Sequence, residues 1–334
     1  MGNEPEGGWN GIHNYLSAYQ LAAATSAAYD GHCSTMVTPS KNGYHLGGKN
    51  ADPNMKLAMA GVSGVSNEYI MALCYWMKAN RQDGKTAFDA FNVHHYMTKS
   101  ITLPNGSTAS VGISPEEAQI DKVLAQLIEI RDKYYPEKEV WITEFGWDTN
   151  QSYATSTSAH AYAEYTGRQV QAMWLTRTYL ILSATGIDKA DMYMCHGGND
   201  ETSVGKYGTC GVIGYEIDEN GNEVKVKKDS YYYLYTLKNT LGEYTFDSKV
   251  ESYDENVLIY KYKTEEGKTA YAVWCKTSDG TKVENFQLGI GAASATLVEN
   301  VYGDIDGVHS SLTADDLGYV SVNVSENPIY IVVD

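Results

Sequence analysis

The sequence predicts an α/β fold, with repeated β/α units around a parallel sheet, followed by an all-β part. Three observations predict it. Between residues 11 and 243, apolar-periodic segments of helical length alternate with short apolar runs, the pattern of parallel strands joined by crossover helices. From about residue 244 the chain changes to alternating apolar and polar residues, punctuated by Glu266-Gly, Asp279-Gly and Asp306-Gly turns. A length of 334 residues with 43% hydrophobic content exceeds one average domain, so two are expected, 1–243 and 244–334.

The elements follow in order. A helix over about Asn14 to Tyr29 precedes a strand at Lys56 to Val62, and Ser66 caps a helix that runs through Asn80 with Glu68 in its first turn. A second strand covers Phe88 to Tyr96. Ser114-Pro-Glu-Glu then places an N-cap, a proline and two acids at the head of a helix reaching about Tyr135. The third strand is Glu139 to Thr143, followed by a helix from about Ser158 to Thr185, and the fourth is Lys189 to Met194. Glu219-Asn-Gly-Asn222 turns a hairpin, and a Tyr-rich helix from about Asp229 to Leu241 ends at Gly242. Beyond it, strands at Val257 to Tyr262, Ala270 to Cys275, Val283 to Leu288, Tyr319 to Val324 and Ile329 to Val333 read as a small antiparallel β-sandwich. Asp304-Ile-Asp306-Gly lacks the downstream ligands of a calcium loop and reads as a turn.

Composition narrows the partners. A formal charge of −17 without any Lys/Arg run excludes a polyanionic partner, so no nucleic acid is expected. With 28 Tyr and six Trp against five Phe, the aromatics favour rings that combine a flat apolar face with a hydrogen-bonding tip. Such rings either stack on sugars or fill cores. The five cysteines are scattered without a CxxC pair, which indicates neither a zinc site nor a disulfide framework, although Cys195 and Cys210 could meet across one loop. No run reaches the length of a membrane span, so no membrane partner is expected, and the start Met1-Gly-Asn-Glu-Pro-Glu is not a signal peptide. The sequons at Asn105, Asn150 and Asn323 decide nothing.

Two segments carry chemistry: Asn3-Glu4-Pro5, and Glu144 in Val140-Trp-Ile-Thr-Glu-Phe-Gly-Trp-Asp148. Retaining cleavage of a glycosidic bond needs one carboxyl to protonate the leaving oxygen and one carboxylate to attack the anomeric carbon, about 5 to 5.5 Å apart. Glu144 directly follows an apolar strand, and Asn3 beside Glu4 can orient a sugar 2-hydroxyl. Glu6 competes with Glu4 for the acid/base role and ranks below it because Asn3 adjoins Glu4. A metal-dependent reading through His94, His95 and His196 is weakened because neighbours on a strand face opposite sides, so no metal and no other cofactor is expected.

In this order and spacing, the two segments resemble glycoside hydrolase clan A, the retaining (β/α)8 glycosidases, in family 39-like or family 5-like form. The resemblance extends to Asp229-Ser-Tyr-Tyr-Tyr-Leu-Tyr-Thr-Leu-Lys-Asn-Thr-Leu-Gly242, which is similar to the clan's final helix, and Glu326-Asn-Pro-Ile-Tyr-Ile331, similar to the last strand of its accessory sandwich. It implies a carbohydrate substrate, Glu4 as acid/base, Glu144 as nucleophile and Asn3 as the 2-hydroxyl partner. It implies further that Tyr96 or His95 hydrogen-bonds the nucleophile, with His94 on the same strand, and that Trp9 and Trp147 are sugar platforms. Where the clan usually has a Trp at the end of strand eight, this chain has Tyr193-Met-Cys-His196, so Tyr193 or His196 would substitute.

Only four whole strands are present where a closed TIM barrel needs eight, so about three and a half β/α units are expected upstream of Asn3. The fold expected is therefore a partial (β/α)8 barrel, from the end of strand 4 to helix 8, with a β-sandwich behind it. Half a barrel leaves an exposed sheet edge, which self-association or a partner segment would complete. Two functions follow: a β-glycosidase of polysaccharides or oligosaccharides, extracellular or periplasmic by resemblance, or an inactive carbohydrate-binding remnant of one.

Overall fold

Four parallel strands organise the first part of the chain: β1 (Val62–Ser63), β2 (Ala90–His94), β3 (Glu139–Glu144) and β4 (Lys189–Ala190), paired in that order. This computed structural model describes residues 2–39, 43–200 and 202–334. Contacts divide the chain into two units, the first comprising Met1–His95, Lys122–Phe145 and Thr185–Asp191, the second Tyr96–Asp121, Gly146–Ala184 and Met192–Asp334.

In the first unit β2 is buried along its whole length, as expected of a central parallel strand covered on both faces. Helix α1 (Ala18–Ser34) starts later than its periodicity suggests, because Ser17 and Gln20 form a reciprocal capping box. It leaves helical geometry at Asp30 to Cys33, where the Asp30 carboxylate pairs with the buried Arg81 guanidinium at 2.7 Å. Helix α2 (Asn67–Asn80) buries Ile70, Leu73, Cys74 and Met77, the i, i+3, i+4, i+7 stripe of an amphipathic helix. Helix α3 (Ile120–Tyr134) begins six residues after Ser114. The Ser114 hydroxyl does accept from the Glu117 amide at 3.2 Å, but Gln119 at φ 52° separates that turn from the helix.

β1 is much shorter than the run Lys56 to Val62. Leu57 and Asp89 explain the loss: the Leu57 amide donates to the Asp89 carboxylate at 2.9 Å, so the segment's backbone is satisfied outside a regular ladder. β4 likewise covers two residues of its expected six.

The second unit packs helix α4 (Gly167–Ser183) against α5 (Asp229–Leu241), whose bounds match the Tyr-rich segment read from sequence. α4 starts at a Thr166/Gln169 capping box rather than at Ser158, because residues 158–165 bond elsewhere: the Ala159 amide to Asp148 O and the Ala161 amide to Gln151 Oε1. The hairpin Ile213–Ile217/Glu223–Lys227 turns at Glu219 to Asn222 as expected. A second hairpin, Thr98–Thr102/Thr108–Gly112, was not evident in the sequence.

From Thr245 the chain is antiparallel: β5 (Thr245–Val250), β6 (Val257–Lys263), β7 (Thr269–Cys275), β8 (Val283–Gly289), β9 (Ser294–Glu299), β10 (Val308–Thr313), β11 (Tyr319–Val324) and β12 (Ile329–Val333). Six form a sheet in the order β5-β6-β7-β12-β9-β10, and β8 pairs with β11. Ile259, Val273, Ile329 and Ile331 of the larger sheet meet Phe286, Leu288, Val320 and Val322 of the smaller one. Contacts group these strands with α4 and α5, through the Arg177 guanidinium on Lys276 O at 3.0 Å and Ser183 Oγ on the Tyr262 hydroxyl at 2.9 Å. All five cysteines are free. Cys195 is exposed while Cys210 is buried, its Sγ donating to Tyr207 O, so the pair considered from sequence does not form.

Arg177 is the polar centre of that packing. It is wholly buried, forms two hydrogen bonds with Glu116, and Glu116 also accepts from Trp274 Nε1 at 2.7 Å. Removing one partner of a buried ion pair strands the other charge. Glu116→Ala is expected to lower unfolding stability by about 3 kcal/mol, and Glu116→Leu with Arg177→Met to recover most of it. Urea denaturation checks both, and a loss below about 1 kcal/mol in the single variant would show a pair of only surface-like worth.

Candidate active site

Glu4 is held in an unfavourable backbone conformation. Its φ is 45°, in the left-handed region, immediately before Pro5. A non-glycine residue pays about 1 to 3 kcal/mol for such a conformation and keeps it only when its surroundings over-determine it. They do so here. The Glu4 amide donates to Gly61 O at 3.0 Å, while Glu4 O accepts from the Gly7 amide at 2.8 Å and from Asn10 Nδ2 at 2.7 Å.

Asn3 bridges to Gly61 in parallel fashion, so the Asn3-Glu4 segment lies beside the residue that leads into β1. The register continues across the sheet: Ser63 pairs with His94, and His94 with Glu144 after an irregularity at Val93/His94. These C-terminal strand ends bring three side chains together. His94 Nδ1 lies 3.1 Å from Glu4 Oε1 and 3.6 Å from Glu144 Oε1. One carboxylate oxygen of each Glu and the imidazole nitrogen all fall within 4.8 Å of one another. The imidazole is almost fully buried, with both carboxylates partly exposed, so the acids face outward from a buried support. One nitrogen and two carboxylate oxygens at this spacing also form a donor set that a divalent cation could use.

Between the two histidines the structure separates two roles. The His94 ring reaches both carboxylates, whereas His95 reaches Glu144 through its backbone, its amide donating to Glu144 O at 2.9 Å. Where Tyr96 or His95 was expected beside Glu144, the ring of His94 stands 3.6 Å from its carboxylate. Alternation along the strand allows only one of two neighbours to face the carboxylates. Burial lowers the His95 imidazole below its ordinary value, which favours its neutral form.

Glu6 lies near this group but is engaged elsewhere. Its Oε1 accepts from the Ser63 amide, and its Oε2 is buried without a hydrogen-bond partner. Burial raises the Glu6 carboxyl above its usual range, its own and the Ser63 amides oppose that, and the charge on Glu4 adds to it. Trp9 is 67% exposed, with its indole over Gly7, where a Cβ would come within 2.3 Å of the ring.

The remaining expected residues belong to the second unit. Trp147 is fully buried, its ring centroid 5.5 Å from that of Trp174 and its Nε1 donating to Ile113 O at 3.0 Å. It is a core residue, and its role as a sugar platform is corrected. Tyr96 and Tyr193 both contact Tyr207, at centroid distances of 4.7 and 5.7 Å, and His196 meets Tyr215 edge-on at 5.1 Å. Next to Trp147, the Asp148 carboxylate accepts from the amides of Tyr207 and Thr209 and from the hydroxyls of Thr157 and Thr209. Sequence reading missed Gly61, Asn10 and Tyr207. Gly61 acts through its carbonyl and the space beside it, Asn10 through a side-chain amide on a backbone oxygen, and Tyr207 is one of 28 tyrosines.

No protein-family model matches the sequence, and no curated protein matches it. Solved structures do match in fold. A family 39 glycoside hydrolase from Bacteroides cellulosilyticus superposes with a TM-score of 0.55 at 20% identity over 86% of this chain and 52% of its own. A monomeric β-xylosidase from Caulobacter crescentus gives 0.56 at 12% identity over 98% and 68%. A family 51 α-L-arabinofuranosidase from Bifidobacterium longum gives 0.58 at 12% identity over 100% and 66%. The chain thus spans about half the length of the first of these proteins. At these identities the likeness is one of fold, a mixed α/β architecture with a parallel sheet and a C-terminal β part.

The position of Glu6 makes a pH-dependent prediction. A carboxyl raised by burial binds its proton more tightly in the folded than in the unfolded chain, so it costs stability as pH rises through its folded value. Glu6→Gln is expected to be more stable than the wild type near neutral pH, with the gap closing below 4.5, the ordinary value, where both states hold the proton. Thermal unfolding across that range tests it, and a gap independent of pH would count against the burial of Glu6.

Proposed function

We propose that this chain carries the catalytic pair of a retaining glycoside hydrolase, with Glu4 as acid/base and Glu144 as nucleophile. One observation carries the reading: both carboxylates converge on the same imidazole nitrogen, at 3.1 and 3.6 Å. An oxygen of each carboxyl within 4.8 Å of the other favours the short separation of double displacement over the wider gap of an inverting pair.

The steps follow from that spacing. Glu144 attacks the anomeric carbon as the glycosidic bond to the leaving oxygen breaks, and that oxygen takes the proton of Glu4. Water then attacks the same carbon, giving a proton to Glu4 while the ester bond to Glu144 breaks and its carboxylate is restored. His94 supports both acids from behind. Asn3 serves the 2-hydroxyl and the exposed Trp9 face offers a sugar platform. On this reading the parallel sheet is part of a (β/α)8 barrel within residues 1–243, and 244–334 is its accessory sandwich. The substrate is a β-linked oligosaccharide or polysaccharide.

Glu4→Gln and Glu144→Gln are each expected to lower turnover on the order of 10² to 10⁴-fold with the fold intact. Incubation with 2-fluoroglycoside inactivators followed by intact and peptide mass spectrometry is expected to place a covalent adduct on Glu144. A folded chain that takes no adduct, hydrolyses nothing and still binds oligosaccharide would favour the carbohydrate-binding remnant instead.

A further inference from the structure

We infer that Gly61 is a positioning residue, whose missing side chain seats the His94 imidazole against Glu4 and Glu144. The inference rests on the catalytic reading of those two acids. A Cβ at Gly61 would lie 2.0 Å from His94 Nε2 and 2.7 Å from both Cδ2 and Cε1. Gly61 is outside the left-handed region, so its backbone does not require glycine. Space does.

The imidazole has little freedom to yield. It is 4% exposed, and its Nδ1 already lies 3.1 Å from Glu4 Oε1 and 3.6 Å from Glu144 Oε1. Relieving the 2.0 Å approach to an ordinary contact needs a ring shift of about 1.5 Å. A ring shift of that size changes the distances from Nδ1 to both carboxylates. The same residue also holds the acid by its backbone, since Gly61 O accepts the Glu4 amide at 3.0 Å. Gly61 therefore sets the distance between the strained Glu4 segment and the ring that supports it. The titratable groups facing that ring are Glu4 and Glu144, with Glu6 felt through its charge.

The test is Gly61→Ala in the wild-type chain and in a His94→Ala chain. Thermal unfolding is expected to show a clear loss in the first background and none in the second, where the methyl occupies the space of the absent ring. Equal losses in both would overturn the inference. Should Gly61→Ala alone fail to fold, recovery of a folded chain in the double variant supports it, and failure of both overturns it. For the positioning role, turnover is compared on aryl glycosides with poor and activated leaving groups, because only the poor one needs full protonation by the acid. Gly61→Ala is expected to lose about 10²-fold on the poor leaving group, the scale of a 1 Å misplacement, and about tenfold less on the activated one. Equal losses on the two would assign Gly61 a purely structural role. Failure of the catalytic reading is distinguishable, because the wild-type chain would then hydrolyse nothing or Glu144→Gln would leave hydrolysis unchanged, while the unfolding comparison still decides whether Gly61 seats His94.

Discussion

Parallel pairing in register holds the C-terminal ends of neighbouring strands level, and the candidate site of the first unit depends on it. Asn3 lies beside Gly61, Ser63 beside His94, and His94 beside Glu144. No local sequence signal could bring Glu4 and Glu144 together across some 140 residues of chain. The sheet does it by stacking strand ends, the same property that lets barrel enzymes collect catalytic groups from separate strands. Because side chains alternate with a period of two, a slip of one residue would turn the group on that strand to the other face. The irregularity at Val93/His94 matters for that reason: the register skips Thr143, so Glu144 rather than Thr143 pairs with His94.

Local strain is the second feature of the same construction. Glu4 sits at φ 45° before a proline, and its amide and carbonyl are both fixed by neighbours. Such a conformation costs about 1 to 3 kcal/mol and persists where the surroundings fix it. The conformation is sustained by Gly61 O on one side and by Gly7 and Asn10 on the other. It presents a carboxyl that a relaxed turn would point elsewhere. The buried imidazole thus lies beside both the left-handed acid and the strand-end carboxylate.

Much of this was legible in the sequence, and what was not has physical reasons. Glu144 could be identified because a carboxylate directly after an apolar strand is a strand-end group in any parallel sheet. α5 and the Glu219 to Asn222 hairpin could be read because their periodicity and turn residues agree with their surroundings. The strands Thr245–Val250 and Val308–Thr313 could not, because both are largely solvated and carry too few apolar residues to show alternation. Trp147 illustrates a different ambiguity. An aromatic just behind a strand-end carboxylate can face a pocket or the core, and only three-dimensional packing against Trp174 decides. Gly61 carries no chemistry of its own, so its meaning appears only once the ring of His94 is seen to occupy the space beside it.

The fold by itself carries less functional weight than its neighbours suggest. Identities of 12 to 20% leave the shared architecture as the only common ground with the superposed glycosidases, and one architecture supports many chemistries. The functional argument must then come from the residues. A carboxylate pair alone would be weak, since acidic residues gather at many surfaces. Here one acid is held in a left-handed backbone conformation, and both approach a single buried nitrogen. A turn, a strand face and a sheet register each contribute to placing Glu4, His94 and Glu144 together, and it is that grouping of residues, not the architecture, that a functional argument has to start from.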